Sequence, residues 1–420
     1  MVITNTTSSG LSQERLLRLD RFLQSSYIDA GKIPGALTVV YRRGEIAHFS
    51  ALGLADIEHS VPVREDTIFR IYSMTKPITS VAFMQLVEQG LVALDDPVHK
   101  YIPEWEDLAV FHAGLLGAFH TTPVERPMQI VDLLRHTSGL TYGFQQSTNV
   151  DAAYRKLGVG ELERHGTLDE MVQKLATVPL DFSPGAAWNY SVSTDVLGYL
   201  VGKISGVSFD EYLRAHIFGP LDMPDTDFFV HPGKESRLAA CYASGVLGPP
   251  SPQSGPPRMF LIDGPENSLY LKPPAMLSGG GGLVSTASDY LRFCRMLLDG
   301  GTLGGARILS PKTIELMTLN HLPGGKDLPA LSRSLFSEAA FNGIGFGLGL
   351  SVIIDPAQIP IPTSKGSYSW GGAASTYFWV DPREDLICIF MTQLLPSSTY
   401  PIRRELATLV YSAFTESNAT

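Results

Sequence analysis

The sequence predicts an α+β protein, with an antiparallel sheet flanked by helices and built from both ends of the chain, plus an inserted, mainly helical domain. Two observations carry this expectation. Runs with strand character lie near the start (ALTVVYRRG, IAHFSALGLAD) and in the last third (FGLGLSVII, YSWGGAAS, TYFWVDP, DLICIFMTQ). The stretch between them is dominated by segments with apolar residues at helical spacing, separated by Pro/Gly loops. Residues 11–79 and 231–415 therefore form the sheet-containing unit and 80–230 the helical one, with the active site expected in the cleft between them.

In chain order, residues 11–28 put Leu16, Leu17, Leu19, Phe22 and Leu23 at helical spacing, so a helix opens the fold. An Arg-Arg-Gly-Glu turn joins the first two strand-like runs into a hairpin. TIFRIYSMTKPITSVAFMQLVEQG then passes from an extended run into a helix ending at Gly90. IVDLLRHTSGL, LDEMVQKLATV, STDVLGYLVGKISG and SFDEYLRAHIFGPLDM supply the middle helices. The stretch 245–257 (GVLGPPSPQSGPP) is nearly all Gly, Pro and Ser and reads as a long surface loop. SDYLRFCRMLLDGG and SPKTIELMTLN return to helix, and RRELATLVYSAF closes the chain.

Composition narrows the function classes. The 420 residues are 44% hydrophobic and 18% charged, enough to bury a large core. The net charge is −10 with no basic stripe, which argues against nucleic-acid binding. Neither a leader nor an apolar run of the ~20 residues needed to cross a bilayer is visible, so a cytoplasmic protein without a membrane partner is expected. Cys294 and Cys388 sit in apolar runs and, with Cys241, read as free thiols rather than a disulfide or metal set. Ten histidines show no zinc-like pairing, and neither a metal nor a cofactor is expected.

Three motifs carry the chemistry. Ser73-Met74-Thr75-Lys76 stands where the extended run becomes a helix. There, unpaired N–H groups and the helix dipole favour developing negative charge at the Ser73 hydroxyl, and one turn brings Lys76 to the same face. The residues beyond Pro77 are apolar nearly all round, so the helix is buried. Burial disfavours the lysine cation, leaving an amine able to take the serine proton. Tyr190-Ser191-Val192 follows a Pro-Gly turn and precedes a helix; a tyrosine beside a lysine loses its proton more easily and can relay protons. Trp370-Gly371-Gly372-Ala373 lies between two strand-like runs, where glycines admit a ligand to the backbone and an edge N–H can donate to an oxyanion.

In this order, the three motifs resemble the class C β-lactamase superfamily, which also holds D-alanyl-D-alanine carboxypeptidases and family VIII carboxylesterases. The resemblance runs from about Ile33 to Ala413 and includes LLRHTSGL (133–140) and GGGGLVSTASDYLRF (279–293). It implies a β-lactamase-like fold, Ser73 as acylated nucleophile, Lys76 as its activator and Tyr190 as proton relay. The backbone N–H groups of Ser73 and Ala373 would form the oxyanion hole, and Trp370, Gly371, Gly372 and Val192 would meet the substrate. Two departures point away from lactams. Val192 replaces the asparagine of the lactamase tyrosine motif, and Trp370-Gly371-Gly372 replaces its Lys-Thr-Gly. Lys312-Thr313-Ile314 lacks the glycine and lies in a helical segment. Loss of an amide and a cation suits an uncharged, short-chain ester, so the resemblance implies a carboxylesterase with a small-molecule ester substrate. A β-lactamase or D-amino-acid peptidase, or an acyltransferase, is the alternative.

Other features recede. No G-x-S-x-G occurs, and no Lys-Ser/Thr follows Gly279–Gly282, which read as tight packing before a helix capped near Ser285 or Ser288. His136 is assigned a structural role at a helix end. Tyr142, Phe144 and Trp188 fit either an acyl pocket or the core.

Overall fold

A computed structural model describes residues 8–160, 166–245, 258–333 and 342–418. All but Gly245 of the proline-rich stretch at 245–257 lies outside them. Among the described residues the main sheet has eight strands: β1 (Gly35–Arg42), β2 (Glu45–Asp56), β3 (Val61–Pro62), β4 (Ile344–Phe346), β5 (Ser351–Ile353), β6 (Tyr368–Gly371), β7 (Tyr377–Asp381) and β8 (Leu386–Met391). Their order across the sheet is β4-β5-β6-β7-β8-β1-β2-β3. Every neighbouring pair is antiparallel, and β1 from the start of the chain pairs with β8 from its end. The sheet is thus built from both termini, as the distribution of strand-like runs predicts.

Both faces of the sheet are covered. Along β8, Leu386, Cys388 and Phe390 join the core under α1 (Gln13–Leu23) and the C-terminal helix Ile402–Ser412. Ile387, Ile389 and Met391 join the larger core on the other face. The pleat sends alternate side chains to opposite faces, so a strand apolar at every position feeds two cores. The larger core takes in α2 (Thr75–Glu88), α3 (Ser193–Ser205) and α4 (Ala287–Leu298). α2 is buried from Thr75 to Leu86 and runs unbroken across the 79/80 division. All three cysteines are buried and free.

Several elements differ from expectation. The middle stretch contains a hairpin, Val110–Leu115 with Ala118–Thr122, whose half-exposed strands carry little apolar alternation to reveal them. Asn149–Leu157 is a further helix, opened by a Thr148–Asp151 capping box. FGLGLSVII is not one strand: its Phe346 ends β4, and after a turn Ser351–Ile353 forms β5, folded back on β4. Thr286 caps α4, its side chain accepting from the Asp289 N–H, rather than Ser285 or Ser288. Among the described residues no helix is long and apolar enough to cross a membrane.

Candidate active site

Ser73 sits in a single 3-10 turn, Tyr72–Met74, that leads directly into α2. Three bonds fix this junction: Ile71 N–H to Leu283 O (3.1 Å), Tyr290 hydroxyl to Met74 O (2.9 Å) and Leu283 N–H to Thr75 Oγ1 (3.1 Å). Ser73 keeps part of its surface open, whereas Lys76 is 1% exposed. Lys76 Nζ lies 3.4 Å from Ser73 Oγ, 2.9 Å from the Tyr142 hydroxyl and 2.6 Å from the Gly280 carbonyl. None of these partners is a carboxylate. Burial lowers the Lys76 pKa to about 7, against a smaller opposing pull from Asp195. A fraction of the neutral amine is therefore present at neutral pH.

Tyr190 is hydrogen-bonded to Ser73, and its hydroxyl accepts from Trp370 Nε1 at 3.4 Å. The Lys76 ammonium position lies 4.4 Å from the Tyr190 ring centre. The easier ionisation expected of this tyrosine is not found: burial raises its pKa, outweighing the Ser73 and Trp370 hydrogen bonds. Proximity to Lys76 does not ionise a phenol when the lysine itself is desolvated. The resting phenol keeps its proton.

His136 is buried in a left-handed backbone conformation (φ 57°) just after the short helix Ile130–Leu134. Its carbonyl accepts from the Asn189 N–H, and its Nδ1 lies 3.2 Å from Ser191 Oγ. The ring stands 5.0 Å from that of Tyr190. Burial, with the Lys76 charge adding to it, drives its pKa well below the usual value, so the imidazole is neutral and braces the Tyr190 loop.

The end of β6 closes the site. A Cβ on Gly372 would collide with the Ile71 carbonyl, so only glycine lets the strand end lie against the Ser73 turn. Arg403 donates to Gly372 O (2.9 Å) and Thr376 O (3.0 Å), bracing the turn that carries Ala373. Among the described residues, the N–H groups of Ser73 and Ala373 have no backbone acceptor. Trp370 and Val192 are both buried, at 1% exposure each. Val192 packs by Gly160.

Ser73, Lys76 and Tyr190 are thus in contact with one another, and Trp370 joins them through Tyr190. Tyr142 contacts the lysine directly, with Phe144 stacked on it at 4.7 Å, a placement its loop sequence does not announce. Arg403 has no motif signal in the sequence, and Gly280 belongs to the Gly279–Gly282 run whose sequence suggests tight packing only, not contact with the lysine. Gly279, Gly280 and Gly282 do pack tightly, a Cβ on Gly279 standing 2.6 Å from Thr194 O, whereas Gly281 has room for one. Among the described residues there is no cluster of His, Cys, Asp and Glu fit to hold a metal.

A sheet assembled from both termini, with a Ser-x-x-Lys helix facing a tyrosine and a glycine-bearing strand end, defines a serine hydrolase of β-lactamase-like fold. The chain belongs to the Beta-lactamase family, which it matches over residues 20–412. It is 38% identical over 380 residues to Protein Rv1367c of Mycobacterium tuberculosis, covering 88% of both chains. It is 32% identical over 373 residues to Esterase EstB of Burkholderia gladioli, covering 86% of both. Among solved structures, EstCE1, described as a hydrolase with promiscuous acyltransferase activity, superposes with a TM-score of 0.77 at 26% identity, over 95% of this chain and 99% of that one.

Proposed function

We propose that the protein is a carboxylesterase that hydrolyses short-chain or uncharged esters through an acyl-Ser73 intermediate. The observation that carries this reading is a buried Lys76 amine, its pKa near 7, 3.4 Å from Ser73 Oγ and held by uncharged partners. In the proposed sequence, Lys76 takes the Ser73 proton as Oγ attacks the ester carbonyl. The Ser73 and Ala373 N–H groups receive the oxyanion. Tyr190, protonated at rest, hands its proton to the leaving alcohol and recovers one through Lys76. Water then repeats the steps on the acyl-enzyme and frees the acid. The site is read as opening between the sheet-containing unit and the helical segment 80–230.

Substrate class rests on what stands at the two departures from the lactamase motifs. Val192 and Trp370 offer neither an amide nor a cation, and an anionic lactam carboxylate gains nothing from either. Esterase EstB supports the ester reading. EstCE1, by its description, supports acyl transfer to an alcohol as the second reading. Three buried free thiols fit a reducing, cytoplasmic setting.

The test is a parallel assay of p-nitrophenyl butyrate and nitrocefin on wild type and Ser73→Ala, repeated with added alcohol. Ester turnover that vanishes in Ser73→Ala, with slow nitrocefin cleavage, is expected. Efficient nitrocefin turnover with negligible esterase activity overturns the ester assignment, and full activity in Ser73→Ala overturns the nucleophile. Alcohol captured in preference to water would make the protein an acyltransferase.

A further inference from the structure

The acyl-Ser73 reading leaves one buried carboxylate near the lysine without a role. Asp195 stands in the first turn of α3 and is 3% exposed. Its Oδ1 accepts from Ser278 Oγ at 2.5 Å and from the Gly280 N–H at 3.0 Å. The same Gly280 offers its carbonyl to Lys76 Nζ at 2.6 Å. Carboxylate, Gly280 and amine therefore form a hydrogen-bonded chain with the negative charge at its far end. Gly280 has no room for a side chain: a Cβ would stand 2.5 Å from Asp195 Oδ2 and 2.8 Å from the Tyr142 hydroxyl. Oδ2 and the second tyrosine thus border the same small space beside the lysine.

On the reading that Lys76 activates Ser73, we propose that Asp195 is the positioning residue that tunes this lysine, fixing the Gly280 carbonyl as its acceptor and supplying a carboxylate charge that raises its proton affinity against the effect of burial. The other groups facing Lys76 are Ser73 on the turn leading into its helix, His136 and Tyr142 on the segment after Ile130–Leu134, and Tyr190 ahead of α3. Burial keeps both tyrosines protonated and the imidazole neutral. Asp195 is accordingly the carboxylate whose charge Lys76 feels, and its pull opposes that of burial. It also discourages ionisation of Tyr142, so that phenol stays a hydrogen-bond partner rather than a rival base.

A purely structural Asp195 would only anchor Gly280, and an isosteric amide separates the two roles. Asn at this position still accepts from Ser278 and Gly280 but carries no charge. In Asp195→Asn, the acid limb of the kcat/KM profile with p-nitrophenyl butyrate is expected to move to lower pH by about one unit. Asp195→Ala, which also releases Gly280, is expected to lose about 10-fold more of the alkaline plateau than Asp195→Asn does. An Asp195→Asn limb superimposed on wild type overturns the proposal. Should that variant fail to fold, Ser278→Ala carries the test. Withdrawing the hydroxyl donor leaves more of the carboxylate charge felt at Lys76, so the limb moves up by a few tenths of a unit, and a limb that stays or falls overturns it. Fluorophosphonate labelling of wild type but not Ser73→Ala, run alongside, keeps the two readings apart. Loss of that contrast sinks the acyl-Ser73 reading itself, while an unmoved limb with the contrast intact sinks only the role of Asp195.

Discussion

Arg42 and Lys76 are both buried cations, at 0% and 1% exposure, and their surroundings are opposite. Arg42, on β1, donates to Glu384 Oε2 (2.8 Å) and Glu384 O (2.9 Å), to Ser9 O (2.9 Å) and Gly10 O (3.2 Å), and to Glu416 O (3.1 Å). Its five N–H groups and its charge are all matched, and the guanidinium ties both chain ends to the sheet. Lys76 meets a carbonyl and two hydroxyls. A guanidinium cannot shed its proton, so burying it demands a carboxylate and yields a fixed clamp. An amine buried among uncharged partners can shed its proton, and that makes it usable as a base.

Exchanging the two cations for methionine should separate stability from turnover. Lys76→Met removes the base while keeping the volume, and kcat for p-nitrophenyl butyrate should fall by about 10³–10⁴. Its Tm should hold or rise, because an apolar chain replaces a desolvated amine. Lys76→Arg should lose as much activity, since its charge is permanent. A Lys76→Met enzyme that kept its kcat would end the contrast at once.

Tyr190→Phe should lower kcat by about 10²–10³ through loss of the proton relay. Its acid limb should stay where wild type has it, because the phenol is protonated throughout that range. A limb displaced by this substitution would make the tyrosine, not the lysine, the titrating group.

Arg42→Met should do the reverse of Lys76→Met. Leaving Glu384 buried without its partner destabilises the fold by about 3–5 kcal/mol, read in urea melts. Turnover per folded molecule should be unchanged.

The smallest effect is in pH. Wild-type kcat/KM should rise through an acid limb near pH 7, where Lys76 loses its proton. Lys76 also links pH to stability. Its folded pKa lies below the unfolded value of about 10.4, so between pH 7 and 10 the unfolded chain holds a proton that the folded one lacks. The lysine's penalty on folding is therefore relieved as pH rises through that window. Lys76→Met should flatten this rise, and Arg42→Met should keep it.

Much of this was legible in the sequence where the signal was local. The unbroken apolar run of LICIFMTQ and the all-round apolarity after Pro77 foretell β8 and a buried α2. The hairpin at Val110–Thr122 was not legible, because half-exposed strands carry no strong alternation. Tyr142 was ambiguous for a different reason: an aromatic residue in a loop has the same local signature whether it fills the core or meets a catalytic amine.

By itself the sequence determined that Ser73 and Lys76 share one face of a helix start, since one helical turn fixes their separation. It also determined that this helix is dry, since its residues have no polar side to offer water. Tertiary structure alone decided which groups meet the lysine. Tyr142 and Gly280 lie 66 and 204 positions away along the chain, and Asp195 is linked to the amine by hydrogen bonds through Gly280. Contacts at such separation come from the packing of α2 against distant loops, which no local periodicity encodes. The charge state of Lys76 therefore belongs to the fold, while its place beside Ser73 belongs to the sequence.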